Sequence, residues 1–270
     1  MNSYRPTSLL NDLQYYITPP HECSYLENRS ARMVFLDPAQ RIDVITLSEL
    51  SRNGFRRSGD FVYRPECHLC RQCLSCRVPV QDFVMNSQQK KAWKRNQDLT
   101  VKITRPNQAT DIHYNLYERY IRLRHHDGDM YPPSTEQFEK FLMHSCTDTF
   151  FLELWDNDQL LCVSTCDQLD DGLSAVYTFF EPEQYRRSLG VFAILKQIEY
   201  AQSLGLDFVY LGYWVPHSKK MNYKCQYIPF ELLIDGQWRR LNRQLSEDEI
   251  QKLGESFMTI FPTEWNSVIK

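Results

Sequence analysis

Between residues 150 and 214 short apolar runs alternate with turn signals, and this rhythm constrains the fold more than any other feature. Phe150–Trp155 is an apolar run broken only by Glu153. Asp156-Asn157-Asp158 reads as a turn and Leu160–Cys166 as the returning strand. Asp170-Asp171-Gly172 forms a second turn before the strand Ser174–Phe180. The period then changes. From Ser188 to Leu204, residues Val191, Ile194, Leu195, Ile198, Ala201 and Leu204 share one helical stripe, with Gly205 placed as its C-cap. Asp207–Trp214 returns as another strand.

An antiparallel meander followed by strand, loop, helix and strand calls for a right-handed crossover, which makes the fourth and fifth strands of that core parallel. The expected class is α+β, with the layout of an acyl-CoA N-acyltransferase-like (GNAT-like) core. Upstream, Ile112, Leu116, Tyr120 and Leu123 predict a helix over Asp111–Arg124, and Ser134 is an N-cap for a second over Thr135–His144. The composition shifts near residue 105. This predicts a Cys-rich, basic N-terminal domain over 1–105 and the GNAT-like domain over 106–270.

The formal charge is −3, yet residues 50–105 hold twelve Lys/Arg against four acids, a local +8. Such a field suits an anionic polymer, and Phe83 and Trp93 within it add surfaces for stacking. No apolar run is long enough for a membrane span. Met1-Asn2-Ser3-Tyr4-Arg5 leads into polar residues rather than a secretory signal, so reduced thiols and a cytoplasmic setting are expected.

Cys67-x-x-Cys70-x-x-Cys73-x-x-Cys76 is the least random motif. Thiolates at this spacing can converge on zinc or an iron–sulfur centre. A zinc ribbon uses two separated pairs, so a distant fourth ligand is expected. The preferred set is Cys23, Cys67, Cys70 and Cys73, with Cys76 a spare or substitute; four unmodified cysteines are the alternative. Cys146, Cys162, Cys166 and Cys225 read as core.

Arg186-Arg187-Ser188-Leu189-Gly190 precedes the crossover helix, where free N–H groups attract anionic oxygens. Arg187, Ser188 and Gly190 match the pyrophosphate loop of acetyl-CoA users, but Phe192 replaces a small residue. The loop is therefore expected either to hold the phosphates of a tRNA acceptor end or to be a plain strand-to-helix turn.

Several segments together resemble one family. They are Cys23-Ser24-Tyr25-Leu26, Ser51-Arg52-Asn53-Gly54-Phe55-Arg56-Arg57-Ser58, Tyr63-Arg64-Pro65-Glu66-Cys67 and Arg124-His125-His126-Asp127-Gly128-Asp129-Met130. Further on come Ser174 to Pro182, Arg187 to Gly190, Tyr210 to Trp214, and Lys220-Met221-Asn222-Tyr223-Lys224. Over roughly residues 10–235 the chain resembles the arginyl-tRNA–protein transferase family in its bacterial, leucine-transferring branch. The resemblance implies transfer of an amino acid, leucine favoured, from aminoacyl-tRNA to proteins beginning with Asp or Glu, creating an N-degron. It also implies an active-site Asp at Asp167 and a His/Asp pair at His126 and Asp127.

The chemistry would need no cofactor. An esterified donor is already activated, so the enzyme positions two substrates and manages one proton. Asp167 is the expected proton acceptor. An acidic acceptor needs cations, for which Arg52, Arg56, Arg57, Lys219, Lys220 and Lys224 are candidates. Tyr177, Tyr213 and Tyr223 are candidate oxyanion donors or stacking surfaces. A CoA-dependent N-acetyltransferase and a non-catalytic, metal-dependent tRNA-binding protein are the competing readings.

Overall fold

In a computed structural model, residues 8–128, 130–143 and 147–257 are described. From α1 (Ser8–Asn11) the chain runs through β1 (Tyr15–Ile17), the short ladder of β2 (His21–Glu22) on β3 (Ser30–Ala31), and β4 (Met33–Leu36). The helix α2 (Val44–Arg52) follows, started by Asp43, whose carboxylate accepts from the Thr46 N–H at 2.8 Å. Then β5 (Arg56–Ser58) and β6 (Phe61–Pro65) complete a small sheet of order β1-β4-β6-β5.

Next come β7 (Leu74–Pro79), α3 (Ser87–Arg95), β8 (Thr100–Thr104), α4 (Asp111–Arg124) and α5 (Thr135–Phe138). The expected meander is β9 (Thr149–Asp156), β10 (Gln159–Gln168) and β11 (Gly172–Phe180); α6 (Leu189–Ser203) leads to β12 (Phe208–Trp214). A final hairpin, β13 (Phe230–Ile234) and β14 (Gln237–Leu241), precedes α7 (Glu247–Ser256). The turns follow their residues: Asn157 and Gly205 both take positive φ. The second expected helix is shorter than its pattern. Ser134 caps it as predicted, but it passes after Phe138 into a π turn over Glu139–Met143, and His144 lies outside the described residues.

The large sheet has order β14-β13-β7-β12-β11-β10-β9-β8, and β11–β12 is its parallel pair. Alternate residues of its strands feed two cores. Leu152, Cys162 and Val209 face α6, where Phe192, Leu195 and Ile198 meet them. Phe151 and Val163, one position along, face α4 and α5 with Leu116, Tyr117 and Phe138. A third cluster, Leu47, Leu50, Val62 and Tyr210, seats α2 and the small sheet. Each fully buried side chain of this size contributes about 1.5–3 kcal/mol. Cys162, Cys166 and Cys225 are buried as expected, whereas Cys146 lies outside the described residues.

The composition shift at residue 105 marks no break in the large sheet. β7 sits near its centre and β8 at its edge, while α3 packs on α6 through Trp93 against Phe192 at 5.6 Å. The basic, cysteine-rich segment thus supplies part of the same sheet as residues 149–241.

Small sheet and large sheet are joined by a buried ion pair. Arg57 on β5 donates from Nε and Nη2 to Asp167 on β10 at 2.6 and 2.8 Å, and the Thr149 hydroxyl also donates to Asp167. Side-chain exposures are 1% and 0%, so the pair is shielded from water. Removing one partner strands the other charge in the interior. Asp167→Asn is expected to cost about 3–5 kcal/mol. Urea unfolding should show this as a lower midpoint at unchanged slope.

Candidate active site between the splayed strands

β11 and β12 pair only from Gly172–Phe208 to Ser174–Tyr210 and then part company. Beyond that point Ala175–Phe180 and Leu211–Trp214 diverge, leaving backbone groups on both inner edges without ladder partners. Bulges beside the opening, between Thr165 and Cys166 and between Tyr210 and Gly212, bend the flanking ladders.

Two cations take up the orphaned carbonyls. Arg56 donates from Nη2 to the Ala175 carbonyl at 2.6 Å, and Lys224 donates from Nζ to the Tyr213 carbonyl at 2.7 Å. Gly212 makes the arginine's entry possible. Its φ is +88°, and a Cβ there would lie 2.4 Å from Arg56 Nη1. That Nη1 is buried without a hydrogen-bond partner. Among the described residues no carboxylate pairs with Arg56 or Lys224. Burial pushes the Lys224 ammonium down to about 8; the Arg56 charge adds to this, and the neighbouring Cys76 and Cys73 thiols oppose it. The result is an uncompensated positive site.

Aromatic groups surround it. Tyr177 stacks edge-on against Phe141 at 5.2 Å and stands 6.4 Å from Tyr120. Tyr120 exchanges a hydrogen bond with His125 Nε2 at 3.2 Å. Burial first, then the Arg124 and Lys220 charges, depress the His125 pKa, so that imidazole is neutral at pH 7. Tyr223 is exposed and lies within electrostatic reach of Tyr120 and Arg56. Among the described residues, neither the Tyr177 nor the Tyr223 hydroxyl has a hydrogen-bond partner.

Of the predicted residues, Arg56, Lys224 and Tyr223 therefore come together, and Tyr177 is linked to them through Tyr120. Others are placed elsewhere. Asp167 is wholly buried with both oxygens held by Arg57, so burial and pairing remove it as a proton acceptor facing substrate. Arg57 is committed to the same pair. Arg52 binds Glu49 at 3.1 Å, Asp170 at 2.6 Å and Asp171 at 3.1 Å, beyond the opposite, Gly172 end of β11. The Tyr213 hydroxyl donates to the Gly54 and Tyr63 carbonyls at 2.8 and 3.2 Å, fixing the small sheet rather than an oxyanion. Arg187 is held by Asp98 at 2.8 Å and Asp156 at 3.2 Å. Ser188 has φ +56°, and Gly190 packs against Phe180, where a Cβ would stand 3.2 Å from the ring. This loop is a packed strand-to-helix turn. His126 and Asp127 are exposed; Asp127 reaches Lys220 at 3.4 Å, tying the loop after α4 to the 3-10 helix Lys219–Gln226. The side chain of Lys219 lies outside the described residues. Sequence reasoning missed Tyr120 and His125; only the adjacency of His125 to His126 and Asp127 marked them.

A cavity of about 600 Å³ lies beside the small sheet, and Cys23, Cys67, Cys70 and Cys73 all line it with Tyr25, Ser75 and Tyr213. Burial raises the Cys67 and Cys73 thiols, and the neighbouring thiols raise them further. Cys76 is elsewhere, buried in the α6-side core near Lys224 and Cys225, so it cannot substitute for the other four. Among the described residues, no three His, Cys, Asp or Glu side chains are gathered closely enough to hold a metal ion.

The family models for the arginine-tRNA-protein transferase N terminus and C terminus match residues 21–91 and 112–234. An aspartate/glutamate leucyltransferase of Acinetobacter baylyi is 77% identical over 269 residues, covering 100% of this chain and 99% of that one. A Pseudomonas fluorescens protein of the same name is 52% identical over 230 residues, 85% of this chain and 97% of its own. Among solved structures, the C-terminal domain of a lysylphosphatidylglycerol synthetase from Agrobacterium fabrum aligns with TM-score 0.41 and 13% identity, covering 63% and 51% of the two chains.

The site depends on the missing side chain at Gly212. Gly212→Ala is expected to displace Arg56, strain the strand, and reduce catalytic efficiency at least tenfold, read as kcat/KM on whichever substrate the chain uses.

Proposed function

Because the chain belongs to the arginine-tRNA–protein transferase family and aligns end to end with aspartate/glutamate leucyltransferases, we propose that it transfers leucine from leucyl-tRNA to proteins beginning with Asp or Glu. The observation that carries this reading is the carboxylate-free pair Arg56 and Lys224 between the splayed strands. A buried arginine with an unspent N–H beside a buried lysine is completed by an anion, and the side chain of an N-terminal Asp or Glu is one of suitable size.

Its architecture is that of a GNAT-like core. The parallel pair opens at its C-terminal end, and the α6 N-terminus follows the strand that bounds the opening. Acyl transfer there forms a C–N bond between the acceptor α-amine and the leucyl carbonyl carbon. The ester C–O bond breaks, and the ribose oxygen leaves with the proton the amine gives up. An α-amine of reference pKa about 7.7–8.0 supplies its own neutral fraction. Positioning thus dominates, and the free hydroxyls of Tyr177 and Tyr223 are the donors available to the carbonyl oxygen.

Cys23, Cys67, Cys70 and Cys73 offer four soft donors round one cavity, a set whose chemistry, though not its present spacing, suits zinc or an iron–sulfur centre. No chemical step needs this group; if bound, it would hold the Cys67–Cys73 loop, which leads directly into β7. Metal analysis of purified protein should show Cys67→Ser and Cys70→Ser losing the bound metal while Cys76→Ser retains it. Equal metal content in all three would refute the set.

The function is tested with radiolabelled leucyl-tRNA or arginyl-tRNA and peptides starting with Asp, Glu, Lys or Ala. Leucine should label the acidic peptides; consumption of acetyl-CoA with no label from either tRNA would overturn the reading. The same assay carries a pH signature. Lys224 is charged below about pH 8 and loses its charge above it, so preference for Asp over Ala peptides should weaken several-fold from pH 7 to 9. Taking the ratio cancels titration of the α-amine. Lys224→Met should abolish the pH dependence of the ratio.

A further inference from the structure

The helix α3 carries a charge pattern that neither the core nor the splayed site uses. Its nine residues include Lys90, Lys91, Lys94 and Arg95, all exposed, and no acid. Lys90 with Lys94, and Lys91 with Arg95, are like charges at i, i+4, an arrangement that disfavours an isolated helix. Among the described residues none of the three lysines has an ion pair.

Position gives this face its meaning. At the start of α3, Gln89 Nε2 and Asn86 Nδ2 both donate to the Gln226 carbonyl, at 3.1 and 3.4 Å. Gln226 ends the 3-10 helix that holds Lys224. At its other end, Arg95 donates to the Arg186 carbonyl and Asn96 Nδ2 to the Arg187 carbonyl at 2.8 Å. Those residues belong to the loop that leaves the C-terminal end of β11. The helix therefore bridges the two segments that continue from the diverging strands, with its inner side packed on α6. Nine helical residues span about 13 Å, the rise of roughly four base pairs.

We propose that the exposed face of α3 is the backbone clamp for the acceptor stem of the tRNA, binding phosphates beside the mouth into which the esterified end passes. The inference rests on the reading that the chain takes its amino acid from tRNA. The lysines are exposed and would meet phosphates only, so they position the duplex without reading its sequence. Their grip is also screened by salt.

The test compares the wild-type chain with Lys90→Glu/Lys91→Glu/Lys94→Glu, and with the same three positions changed to Gln. All are exposed, and circular dichroism checks that the helices persist. Binding of uncharged tRNA, followed by fluorescence anisotropy, should weaken at least tenfold in the Glu variant and less in the Gln variant at about 0.15 M salt. The slope of log affinity against log salt should fall by roughly 0.7–0.9 for each phosphate that the variant no longer neutralises. The KM for leucyl-tRNA should rise in parallel, with the KM for an Asp-initiated peptide and kcat at saturating tRNA unchanged. Wild-type tRNA affinity and salt slope in the Glu variant would overturn the proposal. So would a lower kcat at saturating tRNA with unaltered tRNA affinity. The leucine-transfer reading fails separately, if the wild-type chain binds tRNA yet labels no peptide.

Discussion

A buried guanidinium with one unspent donor sets the character of the opening between β11 and β12. Parting two parallel strands exposes backbone carbonyls that would otherwise sit in a ladder, and burying them unpaired costs free energy. Arg56 and Lys224 meet that requirement from opposite sides, one at Ala175 and the other at Tyr213. The same groups that stabilise the splay therefore make it cationic. Their charges repel each other and no carboxylate among the described residues offsets them, so the folded protein holds a standing affinity for an anion. On the proposed reading, selectivity for acidic N-termini would follow from how the strands are kept apart.

Arg56 and its neighbour Arg57 show how one short strand divides two tasks. Successive side chains on β5 point to opposite sides. One guanidinium enters the opening, while the other closes on Asp167 and locks β5 to β10. The Tyr213 hydroxyl adds a third tie, to Gly54 and Tyr63. Arg56 is thus presented from a strand fixed at both flanks. A buried ion pair is weak evidence of net stability. Its value here is geometric: it fixes the strand that presents Arg56, whose Nη1 is left without a hydrogen-bond partner.

The meander, α4, α6 and the parallel return were legible because each obeys a local period, and Gly205 and Ser134 mark boundaries by their own backbone chemistry. β7 was not. Its six residues are all buried, so no alternation shows, and Arg77 within it looks like surface charge. In the fold that arginine lies 3.5 Å over the Phe208 ring and 4.1 Å over Trp238, and pairs with Glu231 at 2.8 Å. These partners come from β12, β13 and β14, which no local pattern near β7 announces. The candidate site divides along the same line. Residue types named Arg56, Lys224, Tyr177 and Tyr223, but charge counting could not tell Arg56 from Arg52 or Arg57. Only the partners separate them: three carboxylates for Arg52, one buried carboxylate for Arg57, none for Arg56 among the described residues. Asp167 was misread for the corresponding reason, since a carboxylate before a turn looks available until its arginine is found.

The two positive regions differ in the physics that governs them. Lysines on α3 stand in water, where mobile ions screen any interaction beyond about 8 Å at physiological salt. Arg56 and Lys224 are buried, where screening is weak and a misfit leaves a charge uncompensated. A chain of net charge −3 gathers cations at one mouth in two layers: an outer face suited to a polymer with many equivalent phosphates, and an inner pair suited to a single carboxylate. Added salt should therefore loosen the grip on the nucleic acid long before it blurs discrimination between acidic and neutral acceptors. On the proposed reading, this separation would let one cationic entrance serve two anionic substrates, the polymer held by many screened contacts outside and the carboxylate by two buried charges within.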